Sequence, residues 1–274
     1  FVLSAGMGLN VYLTYTVVGL MGYHWQVALL AVFVEGIIFI VLSLTNVREA
    51  IFDAIPLNLK KGVSVGIGIF IAFIGLQNAK LVIGNDSTLV SITNFTKDFH
   101  TAGICSLLAV VGLLITVILY IKKVPGSILI GILATWVIGM LCQVTGIYVP
   151  DFKTGYYSLF PTFAMTDFSK LGETFGKCFQ YDLGKVGIFN FITVVLSFLF
   201  VDLFDTLGTL VGVSTKAGML NEEGKLPGIK PALMADAVAT TAGAVLGTST
   251  VTTFVESSSG VAAGGRTGLT AVVS

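Results

Sequence analysis

Long apolar stretches dominate this sequence and limit the folds that it can adopt. A helix that crosses a bilayer needs about 20 mostly apolar residues. Hydrophobic residues make up 55% of the chain and charged residues only 11%, whereas soluble domains carry about 25% charged residues. The sequence therefore predicts an all-α polytopic membrane protein. The eight predicted spans are roughly Phe1–Leu20, Gln26–Thr45, Gly62–Ile83, Thr101–Ile121, Val124–Ile147, Gly187–Ser214, Pro231–Gly247 and Thr248–Ser274.

Several other classes of protein are disfavoured by composition. The formal net charge is zero and there is no basic tract, so nucleic acid is not an expected partner. The three cysteines show no CxxC or Cys/His spacing, and we expect neither a disulfide framework nor a metal site. No cofactor motif is present either, so none is expected. Because the chain starts at Phe1 and stops at Ser274 inside an apolar stretch, we expect it to be a fragment of a longer protein.

The distribution of Lys and Arg predicts an orientation, because cytoplasmic loops of membrane proteins are enriched in both. If the first span runs outward, nine basic residues fall inside and six outside, four of the latter in the long outer loop Tyr148–Val186. This arrangement places the Glu222–Lys225 loop in the cytoplasm and the Asn85–Lys97 loop outside. The nine inside residues are Arg48, Lys60, Lys61, Lys122, Lys123, Lys216, Lys225, Lys230 and Arg266. The six outside are Lys80, Lys97, Lys153, Lys170, Lys177 and Lys185.

Two carboxylates interrupt the sixth predicted span. Asp202 and Asp205 are three positions apart, which places them about 60° apart around a helix, and Thr206 and Thr209 fall near the same direction. A charge at the bilayer centre costs about 2.5–3.5 kcal/mol on insertion scales, so such residues usually face a cavity, a partner or a substrate path. The alternative is a polar helix–helix contact without a ligand.

The last apolar segment contains a second polar interruption. A Thr/Val run at Thr248–Thr253 favours extended backbone, and Thr253 with Glu256 fits the S/T-x-x-E capping box. Thr253 would then begin a helix inside the membrane, with Glu256 in its first turn. The free N–H groups of such a helix need partners at that depth, and a substrate could supply some of them. In the alternative interpretation, Glu256 only closes the capping box.

The first segment has a related break. Ser4–Asn10 contains two glycines and the amide of Asn10, and a helical pattern resumes at Val11. The first and eighth spans are thus both interrupted, and in the predicted topology they run in opposite directions. Paired interrupted helices in inverted halves are a strong sequence indication of a transporter binding site.

Three motifs in this order resemble the nucleobase–cation symporter family 2, in its AzgA-like purine permease branch. They are Gly6-Met7-Gly8-Leu9-Asn10, the Asp-x-x-Asp-Thr-Leu-Gly stretch within Phe200–Thr209, and Thr248–Gly265 with its Glu256. The resemblance covers the whole chain. It implies fourteen spans in two inverted seven-span repeats with core and gate domains, of which this chain would hold the third to the tenth. The implied domains are a first core part (1–45), a first gate part (46–147), an outer loop (148–186) and a second core part (187–274).

The resemblance also implies a binding site between short strands of the third and tenth spans, facing the eighth. Substrate-binding roles would fall on Asn10, Asp205, Thr209, Thr253 and Glu256. Coupling or structural roles would fall on Asp202 and Thr206. Many relatives in the wider family carry Glu in place of Asp205 and His in place of Thr209, which sets this branch apart from uracil and xanthine carriers.

The expected function is secondary active uptake of hypoxanthine, guanine or adenine across the plasma membrane, without covalent chemistry. The coupling ion would be H⁺ or else Na⁺, and a homodimer is one possible assembly. Alternatives are a carrier of another nucleobase or of an anion on the same fold, a channel, or an intramembrane aspartyl protease. A protease would require two aspartates facing each other from different helices, whereas Asp202 and Asp205 share one turn.

Overall fold

The computed structural model describes residues 2–96, 98–162, 169, 171–180, 186–221 and 225–273. Four residues used in the orientation prediction lie outside this part of the chain, namely Lys97, Lys170, Lys185 and Glu222. Tertiary contacts divide the polypeptide into two compact units. The first contains Phe1–Ile71 and Asp167–Ser274, and the second contains Ala72–Thr166.

The first unit contains the broken segments and most of the long helices. In chain order its elements are β1 (Leu3–Ala5), α1 (Met7–Val11) continuing as a π-helix (Tyr12–Leu20), α2 (Trp25–Leu44), α3 (Val47–Ala54), the first part of α4 (Leu57–Asn78), α7 (Leu171–Thr174), a 3₁₀ turn (Lys177–Phe179), α8 (Ile188–Ala217), α9 (Ile229–Leu246), β4 (Val251–Thr253), α10 (Ser257–Ala262) and α11 (Gly268–Val273).

The second unit contains the end of α4, a hairpin and two further helices. Its elements are β2 (Val82–Asn85), β3 (Leu89–Ile92), a short π-helix (Phe99–Gly103) that leads into α5 (Ile104–Ile121), and α6 (Ser127–Val144). Gly112 of α5 lies against Thr135 of α6, and Gly131 of α6 lies against Thr116 of α5. These small residues let the two helix backbones approach closely, as is usual between membrane helices.

Six helices in the described part of the chain are long and apolar enough to cross a membrane. This confirms the prediction of a predominantly helical polytopic membrane protein. The count differs from the eight predicted spans because the first and last segments are divided into short elements. The six are α2, most of α4 (Asn58–Asn78), α5 with its preceding π-helix (Phe99–Ile121), α6, α8 and α9.

The two broken segments meet in a small antiparallel sheet. Strand β1 pairs with β4, with Leu3 opposite Thr253 and Ala5 opposite Val251. At one end of the sheet the N–H of Gly6 donates to the carbonyl oxygen of Thr250 over 3.1 Å. Non-helical backbone inside a membrane must satisfy its polar groups within the protein, and this pairing does so for two segments about 250 residues apart in sequence.

The helices of the first unit pack around this sheet. A buried apolar cluster joins the first helical segment, α2, α8 and α9, and includes Leu9, Val32, Phe198 and Ala244. Gly36 of α2 lies so close to Thr241 of α9 that a side chain at that glycine would collide with it. This packing fixes the position of β4, because β4 follows directly from α9 through Gly247, whose positive φ of 98° ends that helix.

The hairpin of β2 and β3 departs from the predicted all-α fold. Val82 pairs with Ile92 and Asn85 with Leu89, within a stretch that the sequence pattern predicts to be partly the third span and partly a loop. Asn85 accepts hydrogen bonds from the backbone N–H groups of Ser87 and Thr88, which is ordinary turn chemistry for Asn. Helix α4 accordingly ends at Asn78 and not near Ile83.

Two of the basic residues counted as loop charges are buried. Arg48 is 2% exposed and Lys60 is 4% exposed, because Arg48 lies on α3 against α9 and Lys60 lies in the first turn of α4. The orientation rule counts Lys and Arg by their position in the sequence, so the nine inside residues still count and the orientation stays a prediction.

Candidate functional site

A cleft opens where the β1–β4 sheet faces α8 and α4. The cleft is narrow, with about 30 Å³ of free volume, well below the roughly 300–1,000 Å³ of typical ligand sites. Four of the five predicted substrate-binding residues line it. The lining residues are Gly6, Met7, Gly8, Ile67, Phe70, Ile71, Asp205, Thr209, Thr252, Thr253, Phe254, Val255 and Glu256.

The carboxylates of Asp205 and Glu256 give the cleft its charge. Asp205 projects from α8 and is partly buried, while Glu256 follows β4 and is exposed. The two groups are close enough for their charges to interact. Apolar side chains from α4, among them Phe70, form another wall. Two acidic acceptors beside an apolar wall suit a flat ligand that carries N–H donors.

Thr209 and Thr253 line the same cleft with different capacities for hydrogen bonding. The hydroxyl of Thr209 donates to the carbonyl oxygen of Asp205 over 2.9 Å, so it can offer a ligand only an acceptor lone pair. Thr253 lies in β4 opposite Leu3. Both threonines are buried, with 3% and 2% exposure respectively, and both shape the cleft floor.

Asn10 lies apart from the other four predicted ligands. It is on α1 beyond Gly8 and does not belong to the cleft lining. Its side-chain oxygen accepts a hydrogen bond from the hydroxyl of Ser249 over 2.6 Å. In this structure Asn10 therefore ties α1 to the residues that precede β4.

The predicted capping box at Thr253 is wrong. Thr253 is the last residue of β4, and the helix begins at Ser257 with Glu256 as its N-cap residue. No side-chain hydrogen bond caps this helix. The physical reason is that the strand pairing continues past Thr253, where the N–H of Phe254 donates to the carbonyl oxygen of Val2 over 2.9 Å and is not part of a helical turn. The carboxylate of Glu256 is thus not engaged in capping and remains at the cleft.

Asp202 lies one turn before Asp205 but belongs to a separate buried cluster. Its carboxylate is 0% exposed, lies 3.6 Å from the guanidinium of Arg48, and accepts a 3.0 Å hydrogen bond from the hydroxyl of Thr206. Arg48 also donates to Asp236 of α9 over 2.8 Å and to the carbonyl oxygen of Leu233 over 3.0 Å. The predicted polar stripe therefore divides into a cleft side and a buried side.

A third buried carboxylate extends the cluster. Glu35 of α2 is 0% exposed and accepts a 3.0 Å hydrogen bond from the hydroxyl of Thr250. The sequence interpretation missed Glu35, Arg48 and Asp236, which form this cluster with Asp202. The signal was available for two of them, because Glu35 and Asp236 are acidic residues inside predicted spans, which are functional candidates by default. Arg48 gave no such signal because it follows the span.

Comparisons with known proteins agree with these features. The model of the xanthine/uracil permease family, described as "Permease family", matches residues 3–274. The guanine/hypoxanthine permeases PbuO and PbuG of Bacillus subtilis are 44% identical over 274 residues and 43% identical over 271 residues. The adenine permease AdeP of Escherichia coli is 37% identical over 271 residues.

These alignments include 98%, 99% and 99% of this chain, respectively, but 58%, 57% and 56% of the three relatives. The chain thus spans a little more than half the length of the curated relatives it matches. The match extends across both broken segments and all six long helices. The chain therefore belongs to the xanthine/uracil permease family and is a multi-pass membrane protein.

Proposed function

We propose that the protein containing this chain takes up purine nucleobases such as hypoxanthine, guanine or adenine across the plasma membrane. The observation that carries the proposal is the cleft at the β1–β4 sheet, where Asp205 and Glu256 converge. The names of relatives at 37–44% identity, guanine/hypoxanthine and adenine permeases, support the same substrate class. No covalent step is required for this activity.

The chemistry of the cleft favours a neutral base over an anion. An ionised carboxylate only accepts hydrogen bonds, and purines offer ring and exocyclic N–H donors. In the proposed complex Glu256 and Asp205 accept hydrogen bonds from these N–H groups, and the ring plane lies against the side chain of Phe70. An anion would be repelled by the two carboxylates, so anion transport on the same fold is the weaker alternative.

Transport by this site is proposed to use alternating access and proton symport. Two interrupted segments that meet at one site, followed by rigid helices, suit rocking of one bundle against another around a central ligand. In this proposal 1–45 and 187–274 belong to the core domain and 46–147 belongs to the gate. In the proposed arrangement of seven plus seven spans, further spans of the full-length protein would complete both domains.

An intramembrane protease is a poorer match to the aspartates. Asp202 and Asp236 do approach Arg48 from two different helices, but they are 0% and 1% exposed, so neither is open to water or a peptide. A channel would pass ions without saturable competition by purines. Another nucleobase remains the closest alternative substrate.

The test is uptake of radiolabelled hypoxanthine by cells that express the full-length protein. We expect saturable uptake that unlabelled guanine or adenine competes with and that an uncoupler abolishes. If uracil competed with the uptake and purines did not, the proposed purine substrate class would be wrong. Ion currents without saturable base uptake would overturn the transporter proposal.

A further inference from the structure

A buried acidic cluster lies behind the wall of the cleft and is not used by substrate binding as proposed above. It contains Glu35, Asp202 and Asp236, all at most 1% exposed, and the single cation Arg48. Each carboxylate has one oxygen atom without a hydrogen-bond partner among the described residues, namely Oε1 of Glu35, Oδ2 of Asp202 and Oδ1 of Asp236. Oδ2 of Asp202 lies 3.6 Å from Nη2 of Arg48, so the oxygens that require an explanation are those of Glu35 and Asp236.

The charges of this cluster do not balance when every group is ionised. Three carboxylates against one guanidinium leave an excess of two negative charges in a buried site within the membrane helices. Buried charges cost several kcal/mol each unless they are paired, and protonation of a carboxylate removes its charge and its repulsion on a close carboxylate. One or two protons would remove this excess in part or in full.

Glu35 is the carboxylate of the cluster that lies outside the ion pairs of Arg48. Arg48 lies 2.8 Å from Asp236 and 3.6 Å from Asp202, and no ion pair to Glu35 is found in the described residues. The charged groups that face Glu35 are Asp202 from α8, Asp236 from α9 and Arg48 from α3. A proton on Oε1 of Glu35 would remove one negative charge without displacing Arg48 from Asp202 or Asp236.

A proton suits this cluster better than a metal ion. No group of three or more acidic, His or Cys side chains with metal-binding spacing occurs in the described part of the chain. The guanidinium of Arg48 already occupies the position between Asp202 and Asp236, and a sodium ion placed there would meet its positive charge. A proton needs only one oxygen, such as Oε1 of Glu35.

Two short hydrogen-bond paths connect the cluster to the cleft. Glu35 accepts from the hydroxyl of Thr250 over 3.0 Å, and the carbonyl oxygen of Thr250 accepts from the N–H of Gly6, which lines the cleft. On the other side, the hydroxyl of Thr206 lies 3.3 Å from that of Thr252, a further lining residue, and donates to Asp202. These contacts join the cluster to Gly6, directly after β1, and to Thr252 of β4.

We propose that Glu35 is the binding site of the coupling proton and that Thr250 links its protonation to purine binding at the β1–β4 sheet. Asp202, Asp236 and Arg48 are positioning residues that set the field at Glu35. The proposal rests on the purine uptake proposed above and deepens it, since it assigns the coupling ion and a residue that carries it. By linkage, a proton that favours purine binding must itself be bound more tightly when purine is present.

The experiment compares two activities of the full-length protein in proteoliposomes. One is accumulation of labelled hypoxanthine driven by an imposed pH gradient, and the other is exchange of internal for external hypoxanthine without a gradient. At one proton per base, a gradient of about one pH unit supports about tenfold accumulation. We expect Glu35→Gln, which mimics the protonated side chain, to lose accumulation and to keep exchange. The matched control Glu173→Gln, at an exposed residue of α7, should accumulate like wild type.

Proton uptake on hypoxanthine binding, measured with a pH indicator in detergent, should be about one per base in wild type and absent in Glu35→Gln. Accumulation by Glu35→Gln like wild type, or a requirement for a sodium gradient in wild type, would overturn the proton site and leave purine transport standing. Absence of saturable hypoxanthine exchange in wild type would instead refute the proposed function.

If Glu35→Gln does not fold, Thr250→Val provides the test. We expect this variant to show several-fold lower accumulation and to retain exchange. Unchanged accumulation in Thr250→Val would contradict the link between Glu35 and the sheet.

Discussion

Asp202 and Asp205 lie one turn apart on α8, but Asp205 lines the cleft while Asp202 lies 3.6 Å from the buried guanidinium of Arg48. The two aspartates of one short motif therefore lie in two different environments. The first carboxylate belongs to a charge cluster, and the second is available to a ligand. This division leads to different expectations for the same substitution at the two positions.

For Asp205→Asn we expect hypoxanthine binding to weaken by one to two orders of magnitude, because a charged hydrogen bond in a dry site contributes about 1.5–3 kcal/mol. For Asp202→Asn we expect equilibrium binding near that of wild type but impaired uptake. Binding to purified full-length variants and uptake in cells measure the two effects. Asp86→Asn, in the exposed turn between β2 and β3, is the control. Equal loss of binding at both positions would contradict the division.

Replacement of Arg48 should affect stability more than any exposed basic residue. Arg48→Met leaves Asp202 and Asp236 buried without their cation, and loss of one partner of a buried ion pair costs about 3–5 kcal/mol. Thermal unfolding of the purified protein should show a large decrease, whereas Lys61→Met, at an exposed position of α4, should show little change. Combining Arg48→Met with Asp236→Leu should recover part of the loss. A single variant as stable as wild type would show that the cluster does not depend on this pair.

The close approach of the two strands predicts that Gly6 tolerates no side chain. A Cβ atom at Gly6 would lie 2.5 Å from Cγ2 of Thr252 and 3.5 Å from a carboxylate oxygen of Asp205. Because the φ of Gly6 is −62°, backbone strain is not the obstacle, and Gly6→Ala should act by displacing β4 and narrowing the cleft. We expect loss of hypoxanthine binding at near-normal membrane expression. Gly66→Ala on α4, where nothing lies within 4 Å, should bind normally.

The orientation predicted from Lys and Arg can be tested by labelling single cysteines in intact cells. On a background without Cys105, Cys142 and Cys178, an impermeant thiol reagent should label a cysteine at Asn85 but not one at Glu222. Asn85 is exposed in the β2–β3 hairpin, so access will not limit the reaction. The reverse pattern would invert the topology.

Local patterns in the sequence were sufficient for the broken segments. Glycines at Gly6 and Gly8 and the Thr/Val run before Thr253 indicated interruption and extended backbone, and both occur in the structure. The pairing of β1 with β4 itself carries no local signal, because its partners lie about 250 residues apart. That pairing also explains the error at Thr253, where a tertiary contact overrode a local capping pattern.

The buried cluster shows a second limit of local reasoning. Arg48 and Asp236 are 188 positions apart in sequence, and no helical periodicity connects α3 with α9. Arg48 directly follows an apolar stretch, where a loop charge is the usual interpretation, and its burial depends on how α3 folds back. Glu35 and Asp236 could have been selected as intramembrane acids, but their common partner could not.

The most direct test of the purine site is binding of labelled guanine to purified wild type and Glu256→Gln, with thermal stability measured on the same samples. Glu256 lines the cleft, and its side chain caps no helix in the structure. The substitution keeps the shape of the side chain but replaces one acceptor with a donor. We expect affinity to fall by one to two orders of magnitude, with unfolding temperature unchanged. Wild-type affinity in Glu256→Gln would contradict the proposed site.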